Sequence, residues 1–253
     1  MKLEKLSITE LKQAKKCEKW LYYKKSQPRP LKTPHYFLIG SVVHEVVELY
    51  LKDKLKSKGM DLKAFELLFN KIWEKEKSKA DFSKMDEMEA KNKCWQYLYT
   101  YFKKRLYLLF AGCSDDIEKI FSFTARNGEN FIKFSGKVDM LPVDKISAVD
   151  HKTSSAKWTQ ADADDEPQAH FYPFGLNANG YKIEKFYFNV ITQKDVEVFE
   201  VVPDRAKFNY WVNYAFELQR NFPDNLFVNR KNCKWCEWKN ICSECGGENF
   251  AIL

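Results

Sequence analysis

Two neighbouring segments, Phe131–Met140 and Ile146–Lys152, alternate apolar and polar residues over lengths typical of β-strands. Successive side chains of a strand point to opposite faces. In the first segment Asp139 therefore points away from the apolar face, which is formed by Ile132, Phe134, Val138 and Met140. Pro142 and Asp144 lie between the segments and are typical turn residues. The pattern predicts a β-hairpin, and few other local structures suit it.

Such a hairpin would bring Asp139 and Asp150 close together, with Lys152 on the same face as Asp150. Two carboxylates from adjacent strands can hold a hard cation such as Mg²⁺, which prefers oxygen ligands and keeps several waters. The cation can then activate a water for phosphodiester hydrolysis. An isolated Asp-x-Lys is more typical of a surface ion pair. The hairpin alone therefore leaves both interpretations open.

The rest of the chain predicts an α/β fold in which helices flank a central mixed sheet. Ser7 and Glu10 form a capping box at the start of a first helix. Residues 57–118, which follow the second predicted helix, are predicted to form a helical insertion. Helical periodicity indicates helices over about 8–25, 36–56, 61–79, 86–111, 167–178 and 203–220, and strand-like runs lie at 120–124, 131–140, 146–151, 185–191 and 196–202.

Composition indicates an ordinary globular protein kept inside the cell. Of the 253 residues, 45% are hydrophobic and 30% are charged, which excludes a disordered chain. No apolar run is long enough to cross a bilayer, and residues 1–10 lack the apolar stretch of a signal peptide. We therefore expect a cytoplasmic protein with no membrane contact.

The net charge of +7 is concentrated at the N-terminus, where residues 1–32 hold ten Lys or Arg against three Glu. Within the predicted first helix, Cys17 shares an inward face with Ala14 and Leu21. An outward face carries Lys12, Lys15, Lys16 and Lys19. A basic stripe of this kind either follows a phosphate backbone or is a solvated helix face, and charge alone does not decide between them.

Four of the seven cysteines form two Cys-x-x-Cys pairs near the C-terminus, namely Cys233, Cys236, Cys242 and Cys245. In a protein inside the cell, clustered cysteines point to metal chemistry rather than to disulfides. Taken locally, these four thiols could close a tetrahedral zinc site.

Four short motifs occur in one order along the chain: Gly40-Ser-Val-Val-His44, Gly136-Lys-Val-Asp139, Asp150-His-Lys152-Thr153 and Gln168-Ala-His-Phe-Tyr172. This series resembles the RecB-like branch of the PD-(D/E)XK nucleases, including its CRISPR-associated and AddB-type members. The resemblance implies a restriction-endonuclease-like core in a single nuclease domain spanning 1–253. Its segments would be a basic N-terminal helix (1–34), the helical insertion (57–118), the catalytic sheet (119–202) and a C-terminal cysteine segment (222–253).

The resemblance also implies roles for individual residues. His44, Asp139, Asp150 and the backbone carbonyl of His151 would bind Mg²⁺ or Mn²⁺. Lys152 would be the catalytic lysine. Gln168 and Tyr172, one helical turn apart, would line the cleft and hold the lysine or the substrate phosphate.

Iron–sulfur members of this branch use one cysteine from an N-terminal helix and three near the C-terminus in the pattern Cys-x2-Cys-x5-Cys. Cys17 and the set Cys233, Cys236 and Cys242 fit that pattern. The resemblance thus implies a structural [4Fe–4S] cluster, with Zn²⁺ as the alternative and Cys245 as a departure from the pattern.

The expected function is a metal-dependent DNA nuclease, acting as an exonuclease on single-stranded DNA or on DNA ends. Protein partners in repair, phage or CRISPR-adaptation complexes would be compatible with it. One alternative is a non-catalytic DNA-binding or assembly module of the same fold. The other is a zinc-bearing interaction protein, for which Cys17 would be dispensable.

Overall fold

The computed structural model describes residues 2–28, 32–56, 60–104 and 113–245. Its contacts divide the chain into two compact units. The terminal unit comprises Met1–Leu31, Ser122–Gly136 and Asp204–Leu253. The central unit comprises Lys32–Phe121 and Lys137–Pro203.

The strands and helices are as follows in chain order: β1 (Lys5–Ser7), α1 (Ile8–Lys16), α2 (Glu18–Ser26), β2 (Thr33–Pro34), α3 (His35–Lys56), α4 (Leu62–Glu76), β3 (Ala80–Asp81), α5 (Glu87–Lys104), β4 (Cys113–Asn127), β5 (Asn130–Pro142), β6 (Ser147–Thr153), α6 (Gln160–Asp165), α7 (Pro167–Asn177), β7 (Lys185–Ile191), β8 (Val196–Val201) and α8 (Arg205–Asn221). Short 3₁₀ turns occupy Lys77–Lys79, Arg230–Trp235 and Ser243–Cys245.

The central unit contains a mixed sheet whose middle strand pair is parallel. The end of β5 runs antiparallel to β6, with Met140 opposite Val149. β6 runs parallel to β7 along its whole length, and β7 runs antiparallel to β8. The predicted hairpin and the predicted mixed α/β fold are thereby confirmed.

Helices α3 and α5 pack against this sheet, and α4 packs against α3 and α5. The core-facing side of α3 is almost wholly apolar and buried, at Val42, Val43, Val46, Val47 and Tyr50. Each such side chain stabilises the fold by roughly 1.5 to 3 kcal/mol through its removal from water. Because this side is fixed in the core, the opposite side of α3 faces solvent.

In the terminal unit, β1 runs parallel to the start of β5 and α1 follows it directly. Ser7 and Glu10 form the predicted capping box, in which the Ser7 hydroxyl accepts from the Glu10 amide and the Glu10 carboxylate accepts from the Ser7 amide. The Gln219 side chain of α8 donates to the backbone carbonyls of Leu3 and Phe131 at 2.6 and 3.1 Å. These bonds hold α8 against both strands.

The prediction of one helix over 8–25 is wrong, because the helix breaks at Cys17. Cys17 has extended backbone angles, φ −169° and ψ 109°, and α2 begins after it. The amide of Glu18 donates to the carbonyl of Phe227 at 2.9 Å, and the Phe227 amide donates to the Glu18 carboxylate at 2.9 Å. Hydrogen bonds to a distant segment have replaced one helical turn, and local periodicity carries no signal for them.

Two further elements differ from the sequence prediction, and the predicted end of a third lies outside the described residues. α5 is described as far as Lys104, and the predicted continuation to 111 lies outside the described residues. β4 begins at Cys113 rather than at 120. The acidic residues Asp162, Asp164 and Asp165, for which no helix was predicted, lie in the short helix α6, which Thr159 caps. None of the helices described is both long and apolar enough to span a bilayer.

Candidate functional site

Two carboxylates, Asp139 at the end of β5 and Asp150 in β6, lie almost fully buried in the central unit. Their residues are 7% and 3% exposed. Burying a charged group is costly unless it is paired and hydrogen-bonded. Their partners therefore determine what this site can do.

Asp139 is held by an imidazole and by a backbone amide. His44 Nδ1 of α3 lies 3.4 Å from Asp139 Oδ2, and the His151 amide donates to the same oxygen at 2.6 Å. Burial by itself would raise the pKa of Asp139, but the charge of His44 and the His151 amide outweigh it and the pKa falls. For His44 the effects have the opposite signs: burial lowers the pKa, but the charge of Asp139 outweighs burial and the pKa rises. The Asp139 carboxylate is therefore ionised at neutral pH.

Asp150 lies beside the ammonium group of Lys152, two residues further along the same strand face. Lys152 Nζ is 2.6 Å from Asp150 Oδ2, and Gln168 Nε2 donates to Asp150 Oδ1 at 3.2 Å. Burial is the largest influence on Asp150, and with the nearby charge of Asp139 it raises the pKa to about 6 in spite of Lys152. Two neighbouring carboxylates thus have pKa values shifted in opposite directions, an arrangement common at functional sites.

Lys152 is anchored from the other side by α7. Its Nζ donates to Gln168 Oε1, and Gln168 Nε2 in turn donates to the Tyr172 hydroxyl at 2.8 Å. Burial lowers the pKa of Lys152, but Asp150 outweighs it and the net shift is upward, so the side chain is a cation at neutral pH. Burial raises the pKa of Tyr172 to about 12, so its phenol is neutral.

The structure therefore brings together six of the residues predicted for this site, which are His44, Asp139, Asp150, Lys152, Gln168 and Tyr172. The His151 side chain is turned into the core, where it contacts the Tyr101 ring at 5.4 Å between centroids and lies 3.3 Å from the Asn189 amide nitrogen. Burial lowers its pKa to about 4. The role of the His151 carbonyl stays a prediction.

Sequence reasoning missed Glu118. It lies in β4 with a positive φ of 61° and lines one small pocket together with His44, Asp139 and His151. Its carboxylate is paired with Lys137. The strand was expected to start two residues later, so no alternation pattern drew attention to Glu118. Glu48 of α3 also lines this pocket and is paired with Lys52.

The donor atoms fit a hard divalent cation. Two buried carboxylates supply the oxygen ligands that Mg²⁺ and Mn²⁺ prefer, and an imidazole lies next to them. Within the described part of the chain, no three His, Cys, Asp or Glu side chains lie close enough to form a metal-holding group. An ion here would thus be held by Asp139 and Asp150 and would keep several waters, as is usual for Mg²⁺.

The predicted cluster cysteines all lie in the terminal unit, but they are not arranged as one ligand set. Cys233 forms a disulfide with Cys245, and a cysteine in a disulfide is no metal ligand. Cys236 is close enough to Cys17 and Cys242 for each of them to raise its pKa, after the larger effect of burial. Cys17 is half-buried rather than turned into the core, and its thiol faces the Phe227 carbonyl at 3.9 Å.

Two of the four lysines predicted to bind DNA lie over aromatic rings of the terminal unit. Lys15 Nζ is 4.5 Å from the centroid of the Tyr214 ring, and Lys19 Nζ is 4.9 Å from that of Tyr22. Lys16 is exposed and Lys12 is half-buried. The basic stripe is thus partly engaged in contacts of its own unit.

A mixed sheet flanked by helices, with a buried acid pair beside a lysine on a hairpin, is consistent with a restriction-endonuclease-like fold. The model of the PD-(D/E)XK nuclease superfamily matches residues 5–243 of this chain. The chain belongs to this superfamily, whose members are generally nucleases that use divalent metals.

Other comparisons add little. A solved structure titled "Crystal structure of SSO0001" aligns with 92% of this chain and 94% of that chain, at 16% sequence identity and a TM-score of 0.42. That likeness is too distant to inform function. Among curated proteins, none matches this chain.

Proposed function

We propose that this protein is a DNA nuclease of the RecB-like branch, which hydrolyses phosphodiester bonds with Mg²⁺ or Mn²⁺ and acts as an exonuclease on single strands or DNA ends. One observation carries the proposal. Asp139 and Asp150 are buried on adjacent strands of one hairpin, Lys152 is half-buried and paired with Asp150, and His44 lies 3.4 Å from Asp139.

Asp139 and Asp150 would hold the cation, and His44 would be a third ligand once a bound ion draws these groups closer together. When bound, the cation would supply an activated water and would neutralise charge on the phosphate. Asp150 is the oxygen ligand most readily freed for this task, since its contacts are to side chains that can move, Lys152 and Gln168. Asp139 is held by a backbone amide and so fixes where the ion sits.

Lys152 is best suited to stabilise negative charge rather than to remove a proton. A general base must be deprotonated at the working pH, whereas the raised pKa keeps this ammonium charged. Gln168 holds Lys152 and Asp150 at once, and Tyr172 in turn accepts a hydrogen bond from Gln168. A cation aimed at the developing charge in this way is a preorganised electrostatic stabiliser, and loss of one such group typically costs about 10²- to 10³-fold in rate.

The test is cleavage of end-labelled single- and double-stranded DNA with Mg²⁺ or Mn²⁺. Wild-type protein should shorten the labelled strand, and Asp150→Ala and Lys152→Ala should both be inactive. Lys157→Ala is the matched control, because Lys157 is a highly exposed lysine just beyond β6 that pairs with Glu197. If wild type cleaves neither substrate with either metal, the chain is a non-catalytic module and the proposal fails.

We also propose a structural [4Fe–4S] cluster on Cys17, Cys233, Cys236 and Cys242, formed when Cys233 is reduced and not bonded to Cys245. The proximity of Cys17, Cys236 and Cys242 supports it. Clamping thiolates from both ends of the chain to one cluster would stabilise the terminal unit, since metal binding and folding are coupled.

Metal analysis of cysteine variants purified without oxygen separates the possible ligand sets. For the cluster, Cys236→Ser and Cys17→Ser should lose bound iron and visible absorbance, while Cys245→Ser keeps both. For a zinc site on the C-terminal four, Cys245→Ser should lose zinc and Cys17→Ser should keep it. If no metal is found in any protein, the cluster proposal fails, and the Cys233–Cys245 disulfide is the cysteine cross-link among the described residues of this segment.

A further inference from the structure

An aromatic pair lies exposed at the beginning of α3, the helix that carries His44. Tyr36 is 40% exposed and Phe37 is 44% exposed. Their ring centroids are 4.7 Å apart with the planes tilted by 37°, and His35 contacts the Tyr36 ring edge-on at 5.8 Å. These rings support one another and so form a small preorganised surface.

Helical periodicity aligns this surface with the candidate site. Phe37 and His44 are seven residues apart, which is two turns of an α-helix and the same face. At 1.5 Å per residue their Cα atoms are separated by about 10 Å along the helix axis. The buried side of α3 is anchored in the core at Val42, Val43 and Val46, so this alignment is fixed.

Between Phe37 and His44 only small residues project from the helix surface. Gly40 has no side chain there, and Ser41 is small and exposed. A Cβ placed on Gly40 would lie 3.7 Å from Thr153 Oγ1, which is ordinary contact. The fold itself thus does not require glycine at this position, whereas close approach of a ligand backbone would.

We propose that Phe37, supported by Tyr36, is a base-stacking platform for single-stranded DNA, and that the strand crosses Gly40 on its way to the carboxylates. This inference rests on the proposed nuclease function and specifies its substrate. Unpaired bases can stack on exposed rings at about 1 to 3 kcal/mol each, regardless of sequence. A span of about 10 Å along α3 would place the platform one or two nucleotides from the phosphate at the site.

Charge does not explain the patch. The charged groups that act on His35 are Lys93 on one hand and Asp81 and Glu89 on the other. One cation against two anions is no phosphate-binding surface. The contribution of Phe37 should therefore be insensitive to salt, in contrast to contacts with the DNA backbone.

The experiment compares wild type with Phe37→Ala, Phe37→Trp and the control Tyr99→Ala, which removes another exposed ring of the central unit. On a single-stranded oligonucleotide, Phe37→Ala should raise KM by about 5- to 150-fold, the equivalent of one lost stack, with little change in kcat. Phe37→Trp should restore KM, and the effect should persist at high salt. All variants should hydrolyse thymidine 5′-p-nitrophenyl phosphate alike, because it has no neighbouring base.

A second measurement locates the stacked base. Single nucleotides near the cut are replaced by abasic residues. At one position this replacement should raise the KM of the wild type and leave the KM of Phe37→Ala unchanged. Gly40→Ala should fold normally yet cleave poorly.

The inference is overturned if Phe37→Ala matches Tyr99→Ala on the oligonucleotide, or if it changes only the oligomeric state, which would make the patch a self-association surface. If wild type cleaves nothing, the proposed function fails separately. Affinity for the oligonucleotide, measured by fluorescence anisotropy in the presence of Ca²⁺, then tests the stacking platform without cleavage. Equal affinity of wild type and Phe37→Ala would exclude the platform.

Discussion

The carboxylate site of the central unit and the cysteine segment of the terminal unit were both expected to bind metal, yet they are built differently. Asp139, Asp150 and Lys152 stand on paired strands, and each has partners fixed by sheet register and by α7. The cysteines lie in or next to short 3₁₀ turns and at a helix break. A strand positions its side chains whether or not a ligand is bound, whereas a loop-borne set depends on the bonds its own thiols make.

The difference implies that the two regions respond differently to damage. In the central unit, loss of one polar group should remove chemistry and leave the fold. In the terminal unit, loss of a thiol or an ion pair should weaken the fold and leave the chemistry of each folded molecule unchanged. The following experiments test this contrast, from the largest expected effect to the smallest.

Asp139→Asn should lower the rate of DNA cleavage by about 10²- to 10³-fold, the usual cost of one electrostatic stabiliser. Its melting temperature should change little, since the amide can still accept the His151 hydrogen bond and no longer repels Asp150. Cleavage kinetics and thermal denaturation on the same samples measure both. A large fall in melting temperature would show that the central unit, too, depends on this carboxylate for its fold.

Affinity for Mn²⁺ should depend steeply on pH. A divalent cation binds the deprotonated forms of Asp150, whose pKa is raised to about 6, and of His44, whose pKa is also raised. Affinity should therefore fall as the pH drops through these values, by up to about tenfold per pH unit for each proton displaced. Titration followed by Mn²⁺ electron paramagnetic resonance at several pH values checks this, and a His44→Asn variant should show a shallower dependence. A flat profile would mean that neither group is a ligand.

Glu10→Gln should destabilise the terminal unit by roughly 2 kcal/mol, the range for hydrogen bonds to a buried charge. Glu10 is buried and pairs with Lys25 at 2.9 Å while capping α1. Burial would raise its pKa, but Lys25 outweighs it and the pKa is lowered from 4.5. The stabilisation is therefore present above about pH 4.5 and disappears as the pH falls through the folded-state pKa.

Urea denaturation at neutral and acid pH, with the exposed Glu4→Gln as control, measures that difference. Cleavage per folded molecule should be unchanged in Glu10→Gln. Loss of activity without loss of stability would contradict the division of labour between the two regions.

Lys15→Gln should have the smallest effect. Its contact with the Tyr214 ring is worth about 0.5 to 1 kcal/mol if it is purely structural. If Lys15 also contacts DNA phosphate, the variant should bind DNA more weakly and show a salt dependence lower by about one charge. Measuring DNA affinity over a range of salt, with the exposed neighbour Lys16→Gln alongside, separates a structural lysine from a DNA-binding one.

Much of the central unit could be read from local patterns. Strict alternation predicted β5, β6 and the turn between them, and with it the meeting of Asp139 and Asp150. Helical periodicity predicted α3 and α7 within a residue or two. These predictions succeeded because the period of a strand or helix is a local property that the chain carries in its order of residues.

The break at Cys17, the position of Glu118 and the pairing of Cys233 with Cys245 were not accessible in this way. Each depends on a group far away in sequence or on backbone angles outside the regular regions: the Phe227 carbonyl, the ammonium of Lys137, or a choice among several thiols. Sequence by itself determined most of the long helices and strands, the apolar faces that they bury and where the acidic hairpin lies. Only the tertiary structure decided which polar groups pair, because hydrogen bonds and disulfides between distant segments leave no periodic pattern in the sequence.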